Sequence, residues 1–533
     1  MAIVAGFAVP HPPLIVPAVG HGRERQIAAT VAAYEEVARR IATLSPDTIV
    51  ISSPHAELYY DYLHVAGGAH ASGSMAQFDA PEEHTSVDYD EELVDLSCEK
   101  GNVAGVACGT EGERDAGLDH ASMVPLHFIQ KRYRDFRLLR CGLTCQGPLA
   151  NYRFGQAVAA AADELGRRVV WVASGDLSHK TREEGPYGYA PEGPEFDRRI
   201  CEAFRTGDFL ALLTFDPGFC ERAAECGLRS FQMMAGALDR TPVSAELLSF
   251  EDPFGVGYGT AAFTPTGPAG SDASRDFAER YETWHTRDMA ARKAAEDPYV
   301  SLARASLETW VTERRRIRPT DVLAPDAPAE LTQGRAGAFV SLKVAGELRG
   351  CIGTTGPTCP TLAEEVCANA ISAGTRDPRF PAVTAGELPE LVYDVDVLGE
   401  PEPVEGPEEL DPARYGVIVS AFDGRRGLLL PDLDGVDTVE EQVGIAARKG
   451  GIDPDHEDVS LERFQVVRHV WAPTSKAWPH VRRRNAQRRT AAPAWWHAAR
   501  SAPATARSTW MPWVPATRDA TWGARSSATA TAV

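Results

Sequence analysis

Cysteine is scarce. The 533 residues include ten, irregularly spaced and without a CxxC pair. That excludes a disulfide-built scaffold and a zinc ribbon, and makes reduced, cytosolic thiols the expectation. No apolar run approaches the ~18 residues of a membrane span before a charge, a proline or a polar residue breaks it. The N-terminus MAIVAGFAVPHPPLIVPAVG is apolar but has no basic n-region and is cut by four prolines and a histidine, so no signal peptide is expected and the location is read as cytoplasmic. Positive charge is also short: 54 Lys and Arg face 75 Asp and Glu, a net −21, which disfavours nucleic acid as the main partner. No internal repeat is present. What remains, 44% hydrophobic and 24% charged residues, is a globular composition, and at roughly 100–200 residues per domain the length predicts two to four domains.

The charge is uneven. Residues 471–533 carry ten Lys or Arg, one Asp and seven of the ten tryptophans. The first 470 residues therefore stand at −30, from 44 basic and 74 acidic side chains. This tail is rich in Ala, Thr, Arg and Pro, without periodicity. It reads either as a basic aromatic arm or as a stretch with no selected function, and is expected to be disordered in both cases.

Residues 1–265 alternate strands with helices. Ala2–Val9, Thr48–Ser52, Phe136–Leu143 and Val169–Ala173 read as strands. Ile27, Val31, Tyr34, Val37, Ile41 and Leu44 recur at helical spacing, and helices fit Tyr152–Leu165 and Glu195–Arg205. The alternation predicts an α/β domain with a mostly parallel sheet covered by helices. Residues 266–296 read as a linker leading into a helix. Residues 297–470 read as a second, mixed domain, with strands near Ala338–Val344, Leu391–Leu398 and Tyr415–Val419 and helices near Thr361–Ser372 and Val439–Lys449.

The residues that carry chemistry follow the predicted strands. His11 follows the first, His55 follows TIVIS, and His179 follows VVWVA in Ser174-Gly175-Asp176-Leu177-Ser178-His179. His120 joins them in LDHASMVPL. In open α/β sheets ligands bind at the carboxyl ends of the strands, so these histidines can converge on one pocket. Two neutral imidazoles and one carboxylate form a facial triad suited to Fe(II), and further histidines supply a base and an acid near neutral pH. A lone histidine after a strand is more often a loop or cap residue, and Pro10-His11-Pro12-Pro13 also reads as a rigid turn; the case rests on several occurring together. His64, His70, His84 and His127 read as surface or core residues.

These segments, with Pro253-Phe254-Gly255-Val256-Gly257-Tyr258, resemble the class III extradiol ring-cleavage dioxygenases (LigB-like) and the related MEMO proteins, over about residues 1–265. The resemblance implies that His11 and His55 bind non-haem Fe(II) and that His120 and His179 act in acid/base steps, on dioxygen and a small catechol-like diol. The family's third ligand maps to Ala224-Glu225-Cys226-Gly227, where a Glu in dioxygenases and a Cys in MEMO relatives stand side by side. Glu225 is favoured because a hard carboxylate suits Fe(II), with Cys226 the alternative.

A second resemblance covers 297–470. Leu348-Arg349-Gly350-Cys351-Ile352-Gly353-Thr354 is similar to the LRGCIGT signature of the AMMECR family, supported by Asp377-Pro378-Arg379-Phe380 and Gly427-Leu428-Leu429-Leu430-Pro431. Arg349 and Cys351 read either as the lining of a small pocket or, for Cys351, as an inert buried thiol. Such domains occur together in the AmmeMemoRadiSam system, which implies a separate radical-SAM partner, since no CxxxCxxC motif is present. The alternative to a dioxygenase is therefore a metal-binding accessory module of that system, and a zinc hydrolase ranks third, because no HExxH occurs. A homo-oligomer is compatible with all three readings.

Overall fold

The structure, a computed structural model, describes residues 2–433, 436, 438–454 and 456–470. The tail expected over 471–533 lies outside the described residues.

The N-terminal half is built on a six-stranded sheet of β1 (Ile3–Val9), β2 (Thr48–Ser52), β3 (Arg137–Cys141), β4 (Val169–Ser174), β5 (Val243–Glu251) and β6 (Tyr258–Pro265). The order is β3-β2-β4-β1-β6-β5. The first four strands run parallel, and β6 and β5 close one edge antiparallel. Strands β1, β2 and β4 are buried along their whole length. That is why IVAGFAV, TIVIS and VVWVAS read as continuous apolar runs and not as alternating ones. Each fully buried Val or Ile contributes ~1.5–3 kcal/mol, so this central ribbon is where the domain's stability concentrates.

Helix α1 (Ala28–Leu44) buries Ala33, Tyr34, Val37, Ala38 and Ile41 against one face, the stripe its spacing predicts. Helices α2 (His120–Gln130), α3 (Pro148–Glu164), α4 (Glu192–Thr206) and α5 (Leu228–Ala237) complete the cover. Residues 266–296 contain the 18-residue helix α6 (Phe277–Ala294), capped by the Asp276 carboxylate and anchored by buried Phe277.

Helix α7 (Pro298–Glu313) opens the C-terminal half. The Asp297 carboxylate accepts from the Tyr299 and Val300 N–H groups, the cap that Asp-Pro predicts. One antiparallel sheet orders β8-β7-β9-β14, from β7 (Ala338–Val344), β8 (Glu347–Gly353), β9 (Val392–Leu398) and β14 (Val466–His469). A second orders β10-β13-β11-β12, from β10 (Glu402–Val404), β11 (Gly416–Ala421), β12 (Arg426–Leu429) and β13 (Val459–Phe464). Helix α8 (Leu362–Thr375) packs on the first sheet and α9 (Val439–Lys449) on the second. The LRGCIGT segment is strand β8. Gly350 is required there, because a Cβ would come 2.3 Å from the Ala373 carbonyl oxygen of α8.

Candidate metal centre

Strand β4 lies between β2 and β1, so successive carboxyl ends are about one strand spacing, ~4.8 Å, apart. Each delivers a histidine a few residues beyond its last paired position: His11 after β1, His55 after β2 and His179 after β4. His120 arrives from outside the sheet as the first residue of α2. The Asp119 carboxylate caps that helix by accepting from the Ser122 N–H at 3.0 Å.

Three of the four converge. The rings of His11 and His55 are 4.9 Å apart centre to centre, those of His55 and His120 4.2 Å, and those of His11 and His120 5.5 Å. One ring nitrogen from each lies within 4.8 Å of the others. A hydrogen-bond chain holds two of them together. The Ser53 hydroxyl donates to Asp119 at 2.6 Å and accepts from the His55 N–H at 3.2 Å. Arg140 lies 3.6 Å from the other Asp119 oxygen. Burial opposes ionisation of Asp119, yet the Ser53 hydroxyl and the Arg140 guanidinium hold its carboxyl below the usual range.

The hydrogen bonds also fix tautomers. Ser174 Oγ donates its single proton to the Ala121 carbonyl at 2.7 Å, so it accepts from His11 Nδ1 at 3.1 Å. His11 Nε2 is therefore the bare nitrogen. His179 Nδ1 donates to the Ala224 carbonyl at 2.6 Å, which leaves its Nε2 bare as well. Burial is the first cause that keeps all four imidazoles neutral, and their mutual repulsion adds to it for His11 and His55. His55 and His179 are each lowered to about 4.

One buried carboxylate faces this group. Asp176 Oδ1 accepts from the His11 N–H at 2.8 Å. Its Oδ2 lies 3.9 Å from His11 Nε2 and 4.0 Å from His179 Nε2. Burial raises its pKa to about 7. From the sequence alone Asp176 is no more than a group that orients His179; its place in SGDLSH, at the end of the same strand as His179, is the signal that marks it as a candidate donor.

The Glu225 and Cys226 side chains are engaged differently. The Glu225 carboxylate accepts from the Leu228 N–H at 2.7 Å, at the first turn of α5, and is spent on that helix terminus. The next side chain faces the cluster: Cys226 Sγ lies 3.8 Å from His11 Nε2. Burial and the nearby Asp176 and Glu225 carboxylates push its thiol pKa well up.

The residues fit a divalent metal. Neutral, deprotonated imidazole nitrogens are a ligand set that needs no proton release, and a buried carboxylate without a cation is the counter-charge such an ion would meet. Arg349 and Cys351 take no part in this cluster. Arg349 Nε donates to Glu387 at 2.6 Å. The Cys351 N–H donates to Asp377 at 2.9 Å, and Ser341 Oγ lies 3.2 Å from its sulfur. Burial raises the Cys351 thiol pKa. Of the remaining histidines, His64 is buried and His70 and His84 are exposed on a surface hairpin.

A helix-covered, mostly parallel sheet with histidines gathered at its strand ends is thus followed by a two-sheet antiparallel half. The family model "Catalytic LigB subunit of aromatic ring-opening dioxygenase" matches residues 5–261, and the AMMECR1 model matches 300–469. The chain belongs to the family of LigB–AMMECR1 fusion proteins. It is 39% identical to a Clostridium acetobutylicum protein over 480 residues, 88% of this chain and 99% of that protein. A Thermotoga maritima protein is 52% identical over 175 residues, 33% of this chain and 98% of its own length. Among solved structures, an uncharacterized protein from Pyrococcus horikoshii matches 33% of this chain and 91% of its own, at 32% identity and a TM-score of 0.30. One from Escherichia coli K12 matches 49% and 99%, at 14% identity and a TM-score of 0.30. No helix among the described residues is long and apolar enough to cross a membrane.

Proposed function

We propose that the N-terminal half is an Fe(II)-dependent extradiol dioxygenase for a small catechol-like diol. The observation that carries this reading is the convergence of three neutral imidazoles, a buried His11, a half-buried His120 and an exposed His55, beside the buried carboxylate of Asp176. His11 and His55 would hold the iron, with Asp176 or Cys226 as third protein donor. The ion, when bound, supplies the Lewis acidity that binds both diol oxygens and the redox chemistry that engages dioxygen.

The chain's own groups handle the protons. His179 Nε2 is bare because Nδ1 is committed to the Ala224 carbonyl, so it accepts a hydroxyl proton from the diol. Asp176 Oδ2, 4.0 Å from that nitrogen, stabilises the resulting imidazolium. His120, held at the start of α2 by Asp119, offers an N–H proton on the opposite side of the cluster. Phe78 packs edge-on against His120 at 5.5 Å and keeps water from that face. On this reading the partners are dioxygen and an aromatic diol in the cytoplasm, with no part for nucleic acid or membrane.

One observation favours a second reading. Cys226, not Glu225, faces the cluster, and a thiolate donor fits a metal-binding accessory protein of a radical-SAM modification system. Anaerobic reconstitution with Fe(II), followed by a panel of catechols under air, separates the two. A coloured ring-fission product supports the dioxygenase. Stoichiometric iron with no turnover on any diol transfers the weight to the accessory role.

A further inference from the structure

The segment 224–227 carries the Ala224 carbonyl that sets the His179 tautomer, and Cys226, which faces His11. It is short, and Ala224 holds a left-handed φ of 51°. Its own half holds it through the Ser178–Glu225 bridge, the His179 N–H to the Ala224 carbonyl and the close approach of Gly227 to Gly175, and the C-terminal half touches residues on either side of it.

The contact is the turn between β7 and β8. Val344 pairs with Glu347, so the turn is two residues, Ala345 and Gly346, with φ of 51° and 87°. Both values are left-handed, the type I′ geometry that makes a rigid, right-twisted hairpin tip. This tip touches both flanks of segment 224–227. Before it, Gly346 lies against Pro217, the first residue of helix Pro217–Ala223; a Cβ at 346 would come 2.3 Å from Pro217 Cβ. After it, Glu347 Oε1 lies 3.6 Å from Arg229, two residues past Gly227. The Leu348 carbonyl accepts from the Tyr60 hydroxyl at 3.4 Å, in the loop that follows His55. Tyr60 lies in the loop that carries His55, and Arg229 in the first turn of α5, next to the segment that carries Cys226.

We propose that the β7–β8 turn of the AMMECR1 half is a clamp on the LigB half's metal centre: Gly346 and Glu347 hold segment 224–227 in place, and so position Cys226 and the carbonyl that orients His179. The inference rests on reading the histidine cluster as the active centre, and is independent of which reaction runs there. It assigns the fused domain a positioning role for which neither its Arg349 nor its Cys351 is needed.

The test uses the full chain, metal-free, and reads the alkylation rate of Cys226 by iodoacetamide, mapped by peptide mass spectrometry. Cys226 is the reporter because Glu347 is not among the charges that shift its thiol, whereas Glu347 does act on Cys145. Glu347→Arg places two cations together and is expected to raise the Cys226 rate about fivefold, what an exposed ion pair is worth. Gly346→Ala, which drives a methyl into Pro217, is expected to raise it by the same route without any charge change. The exchanged pair Arg229→Glu with Glu347→Arg is expected to return the rate toward that of the parent chain. Wild-type rates in both single variants, with unchanged melting temperature, overturn the clamp. A double variant no slower than Glu347→Arg alone overturns the Arg229 contact as its basis. Absence of catechol turnover bears on the dioxygenase reading only, and the alkylation rates alone decide the clamp.

Discussion

The two halves of the chain each carry a conspicuous motif, and the motifs end in opposite electrostatic situations. In the N-terminal half, four imidazoles and a buried carboxylate are gathered with their charged forms disfavoured. Four neutral imidazoles are held below their ordinary pKa, and Asp176 is raised to about 7 by burial. In the C-terminal half the motif residues are engaged in ion pairs and hydrogen bonds: Arg349 Nε with Glu387, although its Nη1 is buried without a partner, and the Cys351 backbone and side chain with Asp377 and Ser341. Titratable groups gathered with their charged forms disfavoured suit a ligand site, whereas charges engaged in ion pairs and hydrogen bonds suit a structural role. Motif strength alone does not distinguish them; the pairing does.

The sharpest way to break this contrast is to remove the imidazoles that face inward. His11→Ala and His55→Ala are each expected to abolish stoichiometric iron binding, measured by metal analysis after anaerobic loading, while circular dichroism stays native. Full iron occupancy in either variant would show that the cluster is not the centre. Next in size is His179→Ala. Its Nε2 is bare but outside the three-histidine group, so it is expected to keep iron and to lose about 10²-fold in rate, the usual scale for a general base. Iron loss there would move His179 among the ligands.

The identity of the third donor is legible in pH. His55 and His179 stay neutral down to about 4, so they release no proton on metal binding above that. Asp176, raised to about 7, must lose its proton below that value. If Asp176 is the donor, affinity falls about tenfold for each pH unit below 7 and is flat above it, the slope of one released proton. If Cys226 is the donor, its raised thiol pKa carries the same tenfold slope through pH 7 to 9. A competition titration with a chelator of known affinity from pH 5.5 to 9 separates the two.

Much of this was readable from the chain, for reasons that differ by element. TIVIS and VVWVAS are β-branched runs buried on both faces, so strand and parallel sheet follow from composition, and β2 falls on Thr48–Ser52 as expected. Asp-Pro at 297–298 marked the start of α7, and 439–449 formed α9 over the expected span. The antiparallel edge strand β5, from Val243, and the hairpin of His70–Met75 with Ala80–Asp88 were not foreseen, since mixed exposed and buried residues blur their period. At the site, strand-end placement found His11, His55 and His179. The choice between Glu225 and Cys226 could not be read, because adjacent residues point apart and only the start of α5 decides which one is consumed. The contact of the β7–β8 turn with Pro217 and Arg229 joins residues over a hundred positions apart, and no local pattern announces it.

The smallest expected effects test the partnered groups. Arg349→Ala leaves a half-buried Glu387 without its cation and is expected to cost about 1–2 kcal/mol in the C-terminal half, with metal content unchanged. Glu225→Ala is the closing case, because it sets the two halves' logic against each other inside one residue. Glu225 is adjacent in sequence to Cys226 at the metal centre and is half-buried. Its carboxylate nevertheless accepts from the Leu228 N–H, one of the four donors that a helix terminus leaves unmade, and the positive end of α5 favours the charge. Removing it should therefore behave like the loss of a helix cap, about 1 kcal/mol in urea unfolding. Iron stoichiometry should be retained, because Cys226 keeps its place 3.8 Å from His11. The same change at a ligand would strip the metal and leave the helix intact. Measuring both quantities on the one variant decides the matter: a stable protein that has lost its iron would return Glu225 to the metal centre.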